Sequence, residues 1–153
     1  MDSPKIGTLG ELRKTDYKSE SIQQELAGNL RQRLIKGLST FDGLIGYENT
    51  VIPDIERALL SGHNINLLGL RGQAKTRIAR QMTELLNEWI PIVDGSEIND
   101  CPLSPISQEA KELISKKGEQ TPIKWLHRND RFFEKLATPV SYTHLTLPTT
   151  YEV

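Results

Sequence analysis

The sequence predicts an α/β fold, and three features carry that expectation. A short apolar run, Ile65 to Leu68, lies between Asn64 and Gly69 and reads as a buried strand. A glycine-bearing turn, "GLRGQAKT" at residues 69–76, follows it directly. Beyond the turn, Ile78, Met82, Leu85 and Trp89 step by four, three and four, the spacing of an amphipathic helix. A strand feeding a helix through a glycine turn is the opening unit of a parallel α/β sheet.

Size and composition bound the rest. A chain of 153 residues suits one domain with a real core. Hydrophobic content of 37% and charged content of 25% belong to a soluble globular protein. The net charge of -1 gives no general attraction for nucleic acid or an anionic membrane. No apolar run is long enough to span a bilayer, and "MDSPKIGTLGELRK" lacks the apolar stretch of a signal peptide. The single cysteine, Cys101, excludes an internal disulfide framework and fits a reducing compartment. The expectation is a cytoplasmic protein without membrane or nucleic-acid partners.

The elements follow in order. Residues 1–20 read as polar and loosely held. From Ser21, the residues Ile22, Leu26, Leu30, Leu34 and Leu38 form a stripe at every fourth position, with Ser21 and Gln24 as a capping box and Gly37 at the far end. A second helix is expected near Pro53, burying Ile55, Ala58 and Leu59 and stopping at Gly62. "IPIV" at 90–93 is a second strand candidate, weakened by Pro91. "DGSEINDCPLSPIS" reads as a long polar loop, after which Ser107 caps a helix running to Gly118. Thr121 and Pro122 open a last expected helix, carrying Ile123, Leu126, Phe133 and Leu136 inward.

The turn at 69–76 carries the chemistry. The phosphate-loop pattern is Gly, four residues, Gly, Lys, then Ser or Thr. Gly69, Lys75 and Thr76 fit it, Gly72 adds an inner glycine, and Ala74 stands where the second glycine belongs. Glycines let successive backbone N–H groups converge on phosphate oxygens. Lys75 would reach the β and γ phosphates, Thr76 would hold Mg²⁺, and the following helix would present its N-terminal dipole. Ala74 is compatible with this if it keeps φ negative. The competing reading is a turn that joins strand to helix and binds nothing; the flanking strand and helix favour phosphate.

The stretch "FDGLIGYENTVIPDIERALLSGHNINLLGLRGQAKTRIAR" resembles the opening of the AAA+ ATPase core, in the branch of the magnesium-chelatase ATPase subunit and the MoxR-like ATPases. The resemblance implies a partial P-loop NTPase core over residues 40–139, preceded by a helical N-terminal extension over 1–39. It implies ATP and Mg²⁺ as cofactors, a homo-oligomeric ring, and remodelling of an unidentified partner protein. It places Gly69, Gly72, Gln73, Ala74, Lys75 and Thr76 at the phosphates, and Ile45, Gly46 and Tyr47 against the adenine.

The catalytic half of such a motor is not legible. It needs an Asp-Glu pair after a later strand, a sensor asparagine and an arginine finger. Asp94 follows "IPIV", but Gly95 stands where glutamate belongs, so Asp94 reads as a turn residue and no catalytic residue is assigned. From Val140 the composition changes abruptly to "VSYTHLTLPTTYEV", a segment that resembles a translated sequencing-adapter tail; the alternative is an ordinary disordered tail. Native sequence is therefore expected to stop near Pro139. His63, His127, His144 and Cys101 have no metal-ligand spacing. Two functions stand: an ATP-hydrolysing motor subunit, and a nucleotide-responsive binding or scaffold module without turnover.

Overall fold

A computed structural model describes residues 2–69, 72 and 74–133. Its first helix, α1 (Leu9–Arg13), corrects the expectation of a loose N-terminus. Leu9 and Leu12 are completely buried, and the flanking backbone is tied down: Leu9 N–H donates to the Thr121 carbonyl at 3.0 Å, and Gly7 O accepts from Ile123 N–H at 2.9 Å. Trp125 Nε1 donates to the Ile6 carbonyl at 2.8 Å. Two leucines three residues apart are enough to seat a five-residue helix, too short a pattern to stand out among polar neighbours.

The next helix, α2 (Ile22–Ile35), starts as its capping box dictates. Ser21 Oγ accepts from Gln24 N–H at 3.2 Å, and Gln24 Oε1 accepts from Ser21 N–H at 3.0 Å. Only the middle of the expected stripe is inside. Leu30 is fully buried and Leu26 half-buried, whereas Ile22, Leu34 and Leu38 are exposed. A strict four-residue step overshoots the helical period by roughly 40° each time, so the stripe spirals off the buried face. The helix α3 (Val51–Leu60) packs against α2. Pro53 falls in its first turn, Ile55 and Leu59 face inward, and Gly62 closes it at φ +70.

Residues 65–68 are not a strand; no ladder pairs them among the described residues. Their burial alternates with a period of two. Ile65 and Leu67 pack on the core, while Asn66 is exposed and Leu68 is 85% exposed. Apolar composition alone therefore overstated their burial. The helix α4 (Lys75–Met82) follows and tightens into a 3-10 turn at Thr83–Leu85. Leu30, Phe41, Leu44, Ile55, Leu59, Ile78 and Leu85 form the core these elements share.

Trp89, expected on that helix, instead opens strand β1 (Trp89–Val93). The helix α5 (Gln108–Lys117) comes next, capped by Ser107 Oγ accepting from Ala110 N–H at 3.2 Å and ended at Gly118 with φ +52. Strand β2 (Ile123–His127) then replaces the expected last helix. The two strands pair antiparallel, Trp89 opposite His127 through Val93 opposite Ile123, so the fold mixes helix and strand, and no parallel ladder occurs among the described residues. "IKWLH" has the β-branched and aromatic content of a strand, and Phe133 is 87% exposed. Leu136, expected to point inward, and the segment 140–153 lie outside the described residues.

Pro91 fits β1 because of its register. Arg128 N–H reaches the Glu88 carbonyl and Asp94 N–H the Pro122 carbonyl, whereas Val93 N–H turns away to the Asp100 carbonyl at 2.9 Å. Odd-numbered β1 nitrogens thus face outward, so the missing N–H of Pro91 removes no bond to β2. Among the described residues, no helix is long and apolar enough to cross a membrane.

Two buried carboxylates organise the rest. Glu25 on α2 is 4% exposed and takes a bidentate pair from Arg131, Nη1 to Oε1 at 2.6 Å and Nη2 to Oε2 at 2.7 Å. Its Oε1 also accepts from Asn87 N–H at 2.5 Å. Asp100 anchors the long polar loop: it accepts from Ser96 Oγ at 2.7 Å, from Ile106 and Ser107 N–H at 2.6 and 3.0 Å, and from Ser107 Oγ. Burial alone would push its carboxyl up. The hydrogen bonds from Ser107, Ile106 and Ser96 outweigh that and hold it well below the usual carboxylate range.

Removing either member of the Glu25–Arg131 pair strands a buried charge, so Glu25→Ala and Arg131→Ala should each cost about 3 kcal/mol or more in urea unfolding. The double variant should cost clearly less than the sum of the singles. For Asp100 the depressed native value means the unfolded chain binds the extra proton. Its stabilisation is present above the ordinary value of about 4 and drains away as pH falls below it. Asp100→Asn should therefore lower the urea midpoint at pH 7 by an amount that shrinks at pH 3.

Candidate functional site

Ala74 leads into α4, whose N-terminus has no side-chain cap and no acidic residue in its first turn. The first-turn N–H groups of such a helix lack intrahelical partners, which suits an anion. Gly72 has φ +81 and Ala74 has φ 58 and ψ 13. The expectation that Ala74 keeps a negative φ is thus corrected: the alanine occupies the left-handed region that glycine visits without penalty. The methyl group is held there by partial burial against the core. Strain at this position costs about 1–2 kcal/mol.

Lys75 opens α4, and its ammonium donates to the Gly69 carbonyl at 2.5 Å, closing the loop on itself. It lines a cleft of about 360 Å³ together with Tyr47, Val51, Asp54 and Ile65. That volume lies at the small end of ligand pockets, and the walls are mostly apolar with few charged groups, as such pockets are. Tyr47 is fixed from behind, since its carbonyl accepts from Thr50 and Ile52 N–H at 3.2 and 3.1 Å at the entry to α3.

The segment "FDGLIGYE" is clamped to α4 at its other end. Gln81 Nε2 donates to the Asp42 carbonyl at 2.8 Å. At Gly43 φ is +71, which favours glycine, and the Arg77 guanidinium lies against the open side, where a Cβ would stand 2.6 Å from Nη2 and make that flexible side chain shift. The structure therefore brings Tyr47 and Lys75, far apart in sequence, to one cleft. Of the other expected residues, Gly69 is held at Lys75 through its carbonyl, whereas Ile45 is not brought to the cleft. Ile45 is 88% exposed and faces a different groove. Gly46, at φ +89, donates its N–H to Glu48 Oε2 at 2.8 Å. Gly69 and Gly72 are exposed on the loop, and Gln73 lies outside the described residues.

Thr76 is exposed and opens onto a separate depression lined also by Arg77, Arg80, Gln81 and Glu84. Among the described residues no group of three or more His, Cys, Asp or Glu side chains could hold a metal ion. Asp94, at the end of β1, is exposed and faces Lys124 at 3.9 Å, away from the cleft. Val51 and Asp54 of α3 were not singled out as site residues from sequence; their signal was the amphipathic stretch between Tyr47 and the loop. No protein-family model matches the chain, and no curated protein or solved structure matches it either.

Relieving the left-handed alanine should stabilise the protein. Ala74→Gly removes the φ penalty, and the extra backbone entropy of glycine offsets part of the gain, leaving about 0.5 kcal/mol in favour of the variant. A thermal melt reads it. A loss exceeding about 1 kcal/mol would show that the packed methyl group outweighs the strain.

Proposed function

We propose that this chain carries the nucleotide-binding part of an AAA+ ATPase of the magnesium-chelatase or MoxR-like branch, coupling ATP hydrolysis to remodelling of a partner protein in a homo-oligomeric ring. The observation that supports it is the meeting of Lys75, at the uncapped head of α4, with Tyr47 of "FDGLIGYE" in one cleft. In this reading Lys75 leaves the Gly69 carbonyl for phosphate oxygens, exchanging a neutral acceptor for a charged one. The first-turn N–H groups of α4 add their dipoles. Tyr47 and the apolar side of α3 exclude water from the base and ribose. Mg²⁺, arriving with ATP, would neutralise phosphate charge, with Thr76 as its protein ligand.

A second reading, a nucleotide-responsive module without turnover, is favoured by the acids. Asp54, the carboxylate lining the cleft, is paired with Arg57 at 2.8 Å, and Asp94 is turned to Lys124. Neither is poised to polarise a water at the phosphates. Turnover measured as phosphate release separates the two readings.

Binding itself is read by calorimetric titration. Lys75→Ala should weaken ATP by about 10- to 100-fold, the loss of one charge-assisted contact. Thr76→Ala should weaken it mainly when Mg²⁺ is present. Equal affinity of wild type and Lys75→Ala would sink the phosphate-loop assignment.

A further inference from the structure

Apart from the Lys75 cleft, the same 41–48 segment borders a groove of about 330 Å³ that is lined by residues of α2 and α3 and shares no lining residue with that cleft. Its apolar surface is left to solvent. Leu34 is 40% exposed, Leu38 is 53% exposed, and Ile45 protrudes almost completely. These three side chains line one groove although the core does not need them there: Leu34 has turned off the buried side of α2, and Leu38 lies beyond its end. Around it stand three carboxylates, Asp42, Glu48 and Glu56; among the described residues no Lys, Arg or His side chain lines the groove, and the Arg77 guanidinium stands beside its Gly43. In a chain whose net charge is only -1, that local excess is a feature of the groove and not of the whole surface.

Two of the acids are also held in place. Glu48 Oε2 accepts from Gly46 N–H at 2.8 Å, and Glu56 Oε1 accepts from Thr40 Oγ1 at 2.8 Å. Each keeps lone pairs free for a further donor, because a carboxylate offers about four acceptor sites. A fixed acidic rim around an apolar floor selects one kind of occupant: something apolar in the middle and cationic at its edges. We propose that this groove is a docking site for a cationic amphipathic helix of a partner protein. Leucine-like side chains would cover Leu34, Leu38 and Ile45, and lysine or arginine side chains would reach Asp42, Glu48 and Glu56. The site is independent of nucleotide, since none of these six residues lines the Lys75 cleft.

The probe is a fluorescent amphipathic peptide of leucine and lysine, about 18 residues long, titrated with the full chain; its counterpart replaces every lysine by glutamate. The lysine peptide should bind with a Kd of about 1–100 µM, and the glutamate peptide should not bind. Ile45→Ser should weaken binding about tenfold or more without changing the far-UV dichroism, because this side chain is already in solvent. Asp42→Asn with Glu48→Gln should do the same and flatten the salt dependence; the glutamine retains the oxygen that Gly46 N–H uses. Equal binding of both peptides, or wild-type affinity in both variants, would overturn the proposal. So would sedimentation showing a self-associated chain that Ile45→Ser returns to monomer, since the occupant would then be a second copy.

Discussion

The pair between Glu25 and Arg131 is the constraint on which the arrangement of elements depends. Glu25 sits in the first turn of α2, Arg131 lies just beyond β2, and Asn87 leads into β1. One carboxylate therefore joins the helical half of the molecule to its sheet. Two charges taken out of water attract strongly only in good geometry, and the two parallel bonds from the guanidinium supply it. The neighbouring Asn29 extends the connection, its amide donating to the Leu85 carbonyl at 2.8 Å and to Asn87 Oδ1 at 2.9 Å. Its own partial burial pushes the nearby Tyr17 hydroxyl up to about 12, and negative charge at Cys101 and Glu25 would push it the same way. It stays a neutral phenol at any ordinary pH.

What the sequence disclosed were features written in adjacent residues. The Ser21–Gln24 capping box, the Ser107 cap, the Gly62 and Gly118 stops and "IPIV" all stand where local chemistry puts them. What it concealed were features that need a distant partner. "IKWLH" becomes a strand because β1 lies beside it, and α1 is buried because Thr121 and Ile123 receive its flanks. Residues 65–68 show the converse: an apolar run makes a strand only when another backbone offers a ladder, and here none does among the described residues. A fixed spacing of four in α2 was read as a face, although the helical period turns it into a spiral.

At the candidate site the legible part was the order of residues, and the hidden part was their direction. Lys75 and Tyr47 converge although 28 positions separate them, whereas adjacent Lys75 and Thr76 open on different depressions. Successive residues of a helix point about 100° apart, so neighbours in a motif share a site only if the ligand spans that angle. The alanine at 74 is the other lesson. Its side chain is small enough for the loop, but its backbone is in a conformation that size does not govern.

Pro91 has a consequence for how far the sheet can grow. Of the three β1 positions whose nitrogens face outward, Pro91 carries no hydrogen, and that of Val93 is committed to the Asp100 carbonyl. A strand approaching from that side would find too few donors to form a ladder. Any larger sheet built on this chain must therefore add its strands elsewhere, and chance strand-to-strand aggregation along β1 is blocked by the same missing hydrogen.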